Sequence, residues 1–421
     1  MLVFPLLGMD ISGNSKRRAM DDKLINLPMD VLNCILDHLP IRDAARTSVL
    51  SRKWRYIWAG HPNLVLDPKN IVTVTKNDFV GIGNGILLQH IGPILTFHVD
   101  ISDCIFKPPC GTTGSFHSLK QLSLNQVAFK PEVSASIFTA SKLETLHLLK
   151  CSGMDHLNFD GCSPSLSSLV LYMNHGVKLR CFMNCKSITS AKLVLPMEVN
   201  YLGLGKRINL ASLFEHWPLI SNLFLDGYHL KLLAADSITS ALPVKVNHLR
   251  DLTLYGISFT DLVQLSSILC LLHSSPRVHS LEIRMNVPTV TADNNLVLQY
   301  LQERSCMSEE INSLRALKMK YFQGSRAEML FVKVILACCP ALERVSFVDK
   351  RVEASEQWEN TVAAAGVAKD SFSASCPPAR GFIIASTPGV INQKKLARRN
   401  TIPTGYELTT GSIIVWNALG C

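Results

Sequence analysis

Thirteen cysteines and thirteen histidines are the side chains of this 421-residue chain best suited to nucleophilic, acid–base or metal chemistry. Their spacing points to none of these. A structural zinc site wants thiolates paired as C-x-x-C or nearly so. Here Cys181 and Cys185 are separated by three residues, Cys338 and Cys339 are adjacent, and no C-x-x-C occurs. There is no G-x-S-x-G elbow and no H-E-x-x-H. Gly81, Gly83 and Gly85 alternate, but no strand leads into them and no Gly-Lys-Ser/Thr follows. Lone histidines such as His147 and His279 read as surface residues or as satisfied core residues. No catalytic residue, metal ligand or cofactor is expected. The thiols read as buried and reduced, in a chain without a credible secretory signal. MLVFPLLGM is too short for one, is broken by Pro5 and lacks a basic start. No run is long enough to span a bilayer, and Leu419-Gly420-Cys421 is no prenylation box.

What could act instead is surface, and surface depends on the elements that present it. The stretch Leu24–Trp58 is the most organised. Asn26 is placed to cap a first helix, with Pro28 just inside its start. Val31, Leu32, Ile35, Leu36 and Leu39 make one apolar stripe at helical period, and Pro40 stops it. Asp43 is placed to cap a second helix over Ala44–Leu50. Ser51 is placed to cap a third that carries Trp54, Ile57 and Trp58. Either this is a small helical subdomain packed on its neighbours or it is a docking module. So many large apolar groups exceed what about 35 residues bury internally, and the surplus asks for a partner.

The residues here resemble a known motif. Leu27-Pro28, Ile35-Leu36-x-x-Leu39-Pro40, Arg42-Asp43-Ala44 and Thr47-Ser48-Val49-Leu50-Ser51-Arg52-x-Trp54-Arg55 resemble an F-box of the plant type. Met29 is a mild departure, since the family often has an acidic or polar residue there. The resemblance implies docking to a Skp-family adaptor and, through it, to a cullin-based ubiquitin ligase. The adaptor-contacting positions it implies are Leu27, Pro28, Ile35, Leu36, Leu39, Pro40, Val49, Leu50, Ser51, Arg52 and Trp54. Some of these must instead hold the helices together.

Beyond the motif, His61–Asp67 alternates as a strand does and ends at Pro68. Residues 69–93 are partly helical in pattern, with Phe79, Ile82, Ile86 and Leu87 on one side. From residue 94 a short L-x-L strand, preceded by another apolar residue, recurs. The pairs are Phe97/Val99, Leu122/Leu124, Leu146/Leu148, Leu169/Leu171, Leu193/Leu195, Leu223/Leu225, Leu252/Leu254, Leu281/Ile283, Leu317/Met319 and Val345/Phe347. A period in the twenties with one such strand each predicts a leucine-rich solenoid, whose units bury their leucines only by stacking. Later units have room for helices, over Leu262–Leu272 and Met329–Cys338. A polar insertion spans Asp293–Asn312. The order strand, Phe322-Gln323-Gly324 turn, Glu328, apolar helix, Leu342-Glu343 strand resembles the FBD region of plant F-box proteins. Physically it reads as a cap on the last open unit.

The fold class expected is therefore α/β: a three-helix F-box, then an irregular leucine-rich-repeat solenoid with an FBD-like C-terminal cap. The divisions are 1–21 flexible, 22–60 F-box, 61–310 solenoid, 311–350 FBD-like end, and 351–421 a divergent, poorly ordered tail. In the tail, 381–385 and 412–416 are strand-like. A hydrophobic fraction of 47% against 18% charged residues excludes a mostly disordered chain. The net charge of +9 is spread along the sequence, without the concentrated basic face that nucleic-acid binding wants. Lys16-Arg17-Arg18 and Lys394–Arg399 can serve nuclear entry or be plain solvated charge, so nucleus and/or cytoplasm is the expected location.

In a solenoid the side chains flanking the strand leucines point to the concave face. These include Ser123, Asn125, His147, Val170, Tyr172, Lys192, Val194, Phe224, Asp226, Thr253, Tyr255, Glu282, Arg284, Lys318, Lys320, Arg344 and Ser346. Tyr172, Phe224 and Tyr255 would make an aromatic centre. Arg284, Lys318 and Lys320 would make a basic end, together suited to an acidic segment of a target protein. The expected function is substrate recognition in an SCF-type ligase, without catalysis in this chain. The alternative is a non-degradative repeat scaffold.

Overall fold

The computed structural model describes residues 23–67, 76–105, 116–129, 141–153, 164–175, 177, 179–194, 210–233, 242–286, 295–304 and 310–348. The expectations for 1–21 and 351–421 lie outside the described residues. After a 3-10 turn, Lys23–Asn26, come three short helices: α1 (Met29–Asp37), α2 (Ile41–Arg46) and α3 (Arg52–Ala59). Leu32, Leu36, Ala44, Trp54 and Ile57 form a small core between them, with Leu27 and Trp58 packed against it.

Only one expected cap forms. Ser51 accepts from the Trp54 N–H at 3.2 Å and starts α3. Asn26 belongs to the 3-10 turn, and Pro28 is the N-cap of α1. Its extended ψ of 149° places its carbonyl to accept the first helical bond, from Leu32. Pro40 does the same for α2, which begins at Ile41, ahead of the expected start. Asp43 lies in its first turn and pairs with Arg46 at 3.0 Å instead of capping. The helix ends at Arg46, and Thr47–Val49 tighten into a 3-10 turn.

From residue 63 the strands among the described residues form one parallel sheet of eleven, in strict chain order. They are β1 (Asn63–Leu66), β2 (Thr96–Ile105), β3 (Gln121–Ala128), β4 (Thr145–Leu149), β5 (Ser168–Tyr172), β6 (Ser190–Val194), β7 (Asn222–Asp226), β8 (Asp251–Ile257), β9 (Ser280–Met285), β10 (Ala316–Lys320) and β11 (Arg344–Val348). Each inward pair stacks on the next in register, from Leu64/Leu66 on Phe97/Val99 to Leu317/Met319 on Val345/Phe347. The apolar residue three places ahead of each pair, from Ile94 and Leu119 through Leu342, is buried too. No single strand can hide three such groups, so burial forces stacking at about 1.5–3 kcal/mol per large side chain.

One expected pair is displaced. In β6 the residues aligned with Leu169 and Leu171 are Ala191 and Leu193, not Leu193 and Leu195. Ala191 is as buried as the leucines around it but carries no leucine signature.

Helices fill the later connections: α5 (Leu210–His216), α6 (Gly227–Leu233), α7 (Leu262–Ser274), α8 (Asn295–Arg304) and α9 (Arg326–Cys338). An earlier helix, α4 (Lys76–Gln89), links β1 to β2. The insertion read as polar holds α8, which buries Val297, Leu298 and Leu301. Asp261 caps α7 by accepting from the Val263 and Gln264 N–H groups. Ser325 and Glu328 form a capping box on α9. Trp217, wholly buried at the end of α5, donates from Nε1 to the Phe182 carbonyl at 3.1 Å.

The sheet ends its strands by a recurring device. Lys150, Met173 and Tyr321 each directly follow a strand with φ between 52° and 63°, while Gln126 and Gly256, at 56° and 66°, lie within β3 and β8 where the pairing register shifts. That turn points the N–H of Lys150, Met173 and Tyr321 at the next strand's carbonyl, 2.7 Å away in each case. Buried Asn174 stands one residue beyond such a turn. It accepts from the Cys151 N–H at 2.9 Å and donates to the Leu148 carbonyl at 2.7 Å.

Candidate functional site

Two surfaces carry what the sequence singled out. The first is the outer side of the helical unit. Among the expected adaptor positions, Leu36 and Trp54 face inward, 1% and 4% exposed, and hold the three helices together. Ser51 is the cap of α3. Pro28, Leu39, Pro40 and Arg52 are exposed, and Leu27 and Ile35 are half-buried. Val49 and Leu50 stand out at 82% and 70% exposed. Leu24, Met29, Val31 and Tyr56 are exposed large apolar residues of the same unit. On α1 an open, shallow concavity of about 510 Å3 is lined by Asp30, Val31, Cys34, Ile35, His38 and Leu39. Exposed apolar surface of this extent is what a binding face looks like before its partner arrives.

This unit is fastened to the sheet. Ile41 of α2 joins the main core beside Leu64. His61, 2% exposed, reaches Asp37 through Nε2 at 3.1 Å and Asn33 through Nδ1 at 3.3 Å. The Asn63 amide donates to the same Asp37 carboxylate at 3.0 Å. Burial, the largest influence, lowers the His61 pKa, and Asp37 pulls the other way. Gly60 and Gly92 pack so closely that a Cβ on Gly92 would meet the Gly60 carbonyl oxygen at 3.0 Å.

The second surface is the sheet face opposite the stacked leucines. One row across it runs His98, Ser123, His147, Val170, Lys192, Phe224, Thr253, Glu282, Lys318 and Ser346. A second row carries Asn125, Tyr172, Val194, Tyr255, Arg284 and Lys320. Tyr172, Phe224 and Tyr255 do come together, and Lys192 is what joins them. Its Nζ lies 5.6 Å from the Tyr172 ring centroid and 4.7 Å from that of Phe224. Phe224 in turn stacks on Tyr255 at 6.2 Å. Burial first and the like charge of Arg284 second bring the Lys192 pKa down to about 8. Burial and Tyr255 push the Tyr172 phenol up to about 12. The sequence placed Lys192 on this face but not among the expected target-binding residues. The only signal was its place in the row, one strand before Phe224.

Arg284, Lys318 and Lys320 also come together, but not as an open basic end. All three converge on Glu282, at 2.8, 3.8 and 3.7 Å, and Lys320 is 7% exposed. Two other flanking positions, Val194 and Asp226, are buried. Asp226 accepts from the His229 N–H at 2.7 Å and meets its Nδ1 at 3.1 Å, which seats the start of α6.

Chemistry of bond making is poorly served by these groups. Burial pushes the thiols of Cys151 and Cys185 up to about 11 and that of Cys339 to about 12, away from the thiolate a nucleophile needs. Among the described residues no group of three or more His, Cys, Asp or Glu is arranged to hold a metal ion. No helix among them is long and apolar enough to cross a membrane.

Comparison with known proteins converges on the helical unit and extends beyond it. The F-box domain family matches residues 24–66, spanning α1, α2, α3 and β1. Over 384 residues the chain is 27% identical to an F-box/FBD/LRR-repeat protein of Arabidopsis thaliana, covering 77% of this chain and 90% of that protein. An F-box/LRR-repeat protein of the same plant is 37% identical over 103 residues, 23% of this chain and 26% of that protein. Another is 56% identical over 46 residues, 11% of each. The chain thus matches the F-box domain over its helical unit and is similar along most of its length to a plant F-box/FBD/LRR-repeat protein.

Proposed function

We propose that this chain is the substrate-recognition subunit of a cullin-based SCF-type ubiquitin ligase. In this reading the helical unit docks a Skp-family adaptor. The exposed members of the motif supply the contact: Pro28, Leu39, Pro40, Val49, Leu50 and Arg52, with Ile35 at the edge of the α1 concavity. Leu36 and Trp54 act behind them by holding the helices in place. The strands from β1 to β11 act as a leucine-rich-repeat solenoid, with residues 311–350 as its FBD-like end. The face bearing Tyr172, Phe224 and Tyr255, with Arg284 and Lys318 at its later end, holds the target. The chain itself performs no catalysis. It raises the local concentration of its target beside the ligase's catalytic end.

The observation that carries this reading is the exposure of Val49 and Leu50 at the α2–α3 junction, inside the matched F-box. Large aliphatic side chains left in water there are stabilised only by a partner. The test is a pull-down of a purified Skp-family adaptor by wild type and by Val49→Asp/Leu50→Asp. Wild type should capture the adaptor, and the double variant should not, with its melting temperature unchanged. Failure of folded wild type to capture the adaptor sinks the proposal.

A further inference from the structure

The starts of the strands make a rim along one edge of the sheet. Ile220, Leu249 and Val278, each 0% exposed, lead into β7, β8 and β9. The residues just before them, Leu219, His248 and Arg277, are exposed, and so are Arg250 and His279 just after. Backbone bonds set equivalent positions side by side. The Arg250 N–H donates to the Ser221 carbonyl at 2.8 Å, the His279 N–H to the Arg250 carbonyl at 2.9 Å, and the Arg315 N–H to the His279 carbonyl at 2.9 Å. Each step along the rim is therefore one strand spacing, about 4.8 Å.

The chemistry changes from step to step. At β7 the rim is apolar, with Pro218 exposed and Leu219 45% exposed. At β8 and β9 it is basic: His248, Arg250, Arg277 and His279, with Lys245 exposed earlier in the lead-in to β8. Among the described residues no carboxylate pairs with Lys245, Arg250 or Arg277. At β10 and β11 the charge is answered, since Arg315 pairs with Glu343. The late cations of the sheet face are answered too, because Arg284, Lys318 and Lys320 converge on Glu282. An acidic partner therefore finds its counter-charge on the rim and not at the basic end that the sequence alone suggests.

We infer, resting on the reading of this chain as a target-recognition subunit, that the rim of β7–β9 holds an extended target segment in which an apolar side chain stands two or three residues from Asp or Glu. The apolar side chain covers Pro218 and Leu219. The carboxylates lie among Arg250, Arg277 and the two histidines, where a guanidinium fork matches both oxygens of a carboxylate. The spacing follows from the sheet. Leu219 to Arg277 is two strand spacings, about 10 Å, which an extended chain covers in about three residues. The basic stretch ends where Glu343 begins to repel, so it suits a short acidic run and not a long polyanion.

The test uses the full chain and a fluorescein-labelled peptide, Gly-Ser-Leu-Ser-Glu-Glu-Gly-Ser, followed by polarisation at low salt without adaptor. One control peptide replaces both Glu by Gln, and another replaces Leu by Ala. The Glu peptide should bind about tenfold more tightly than the Gln peptide, and added salt should erode that margin. Loss of the peptide's leucine should weaken binding about threefold. Arg250→Glu/Arg277→Glu should lower affinity about tenfold or more, and Leu219→Ser about threefold. These positions are exposed, so melting temperatures should stay within a few degrees. Phe224→Ala, on the sheet face, should leave peptide binding unchanged. Equal affinity for the Glu and Gln peptides, or unchanged binding by folded Arg250→Glu/Arg277→Glu, overturns the assignment. So does capture of only a phosphoserine version of the peptide, which assigns the rim to a modified residue, and so does loss of binding in Phe224→Ala, which moves the site to the sheet face. Adaptor capture is measured separately and does not involve Arg250 or Arg277. Intact capture without peptide binding therefore overturns the rim alone, and peptide binding without capture overturns the ligase reading alone.

Discussion

Between β3 and β6, among the described residues, strand ends are tied through the backbone: left-handed turns at Lys150 and Met173, and the Asn174 side chain bridging Cys151 and Leu148. From β7 onward every crossover carries a helix, and the holding passes to side chains such as Leu265, Ile268 and Phe331 buried against the sheet. The left-handed strand-end turn persists there at Tyr321, so the device is shared and the filling differs. Helix packing tolerates a methyl group more or less by local adjustment, whereas a backbone-to-backbone approach does not.

Gly153 gives the sharpest test of that contrast. It has φ +68°, and a Cβ there would meet the Phe129 carbonyl oxygen at 2.0 Å. Gly153→Ala should cost about 4 kcal/mol or more, or leave no folded protein, as read by urea unfolding. Gly85→Ala in α4, with nothing within 4 Å of the new methyl, should be neutral or gain up to about 1 kcal/mol. Equal stability of the two variants would break the contrast. In the helical half, Trp217→Ala should cost about 3–5 kcal/mol, since it empties a wholly buried site and removes one of the hydrogen bonds to the Phe182 carbonyl. Asn174→Ala should cost about 1–3 kcal/mol by taking away the acceptor of the Cys151 N–H and a donor to the Leu148 carbonyl. Hydrogen exchange in that variant should rise in β4 and β5 and not in β9 and β10.

Acid should act on the same early half. Burial first, then His98 and Lys192, lower the His147 pKa from 6.5 to about 4. The unfolded chain then takes up the proton more readily than the folded one. Stability is full above about 6.5 and is lost as pH falls toward 4. His147→Asn should flatten that part of the stability–pH curve, while burial of His98 leaves some slope of the same sign. The smallest effect belongs to the exposed Arg315–Glu343 pair at 2.6 Å, where Arg315→Ala should cost under about 1 kcal/mol.

The repeat was legible because leucines mark it twice per strand and once before. It failed where the marker was missing. Ala191 fills an inward place with a small side chain, and the apolar Val194-Leu195 beside it drew the register two residues along. The α8 helix was hidden because Asn295, Gln299, Gln302 and Glu303 outnumber the three residues it buries. The left-handed turns gave no signal at Gln126, Lys150, Met173 or Tyr321, since none is a glycine. Of the sheet face, alternation located the aromatic residues correctly. It could not tell that Glu282 gathers the late cations or that Lys192 threads between rings, because both depend on side chains from separate strands meeting. In the helical unit, the stripe of α1 was plain, but which of its members faced inward was settled only by α3 crossing it.

The seam between helices and sheet has a mechanical meaning. Asp37 is gripped by His61 and Asn63, Ile41 is sunk in the main core, and Gly60 lies against Gly92 with no room for a side chain. That leaves little slack for a pivot. At about 4.8 Å per strand, the Lys192 strand lies roughly 24 Å along the sheet from β1. The molecule is thus a ruler and not a tether: the strand of Lys192 is carried at a set offset from Val49 and Leu50.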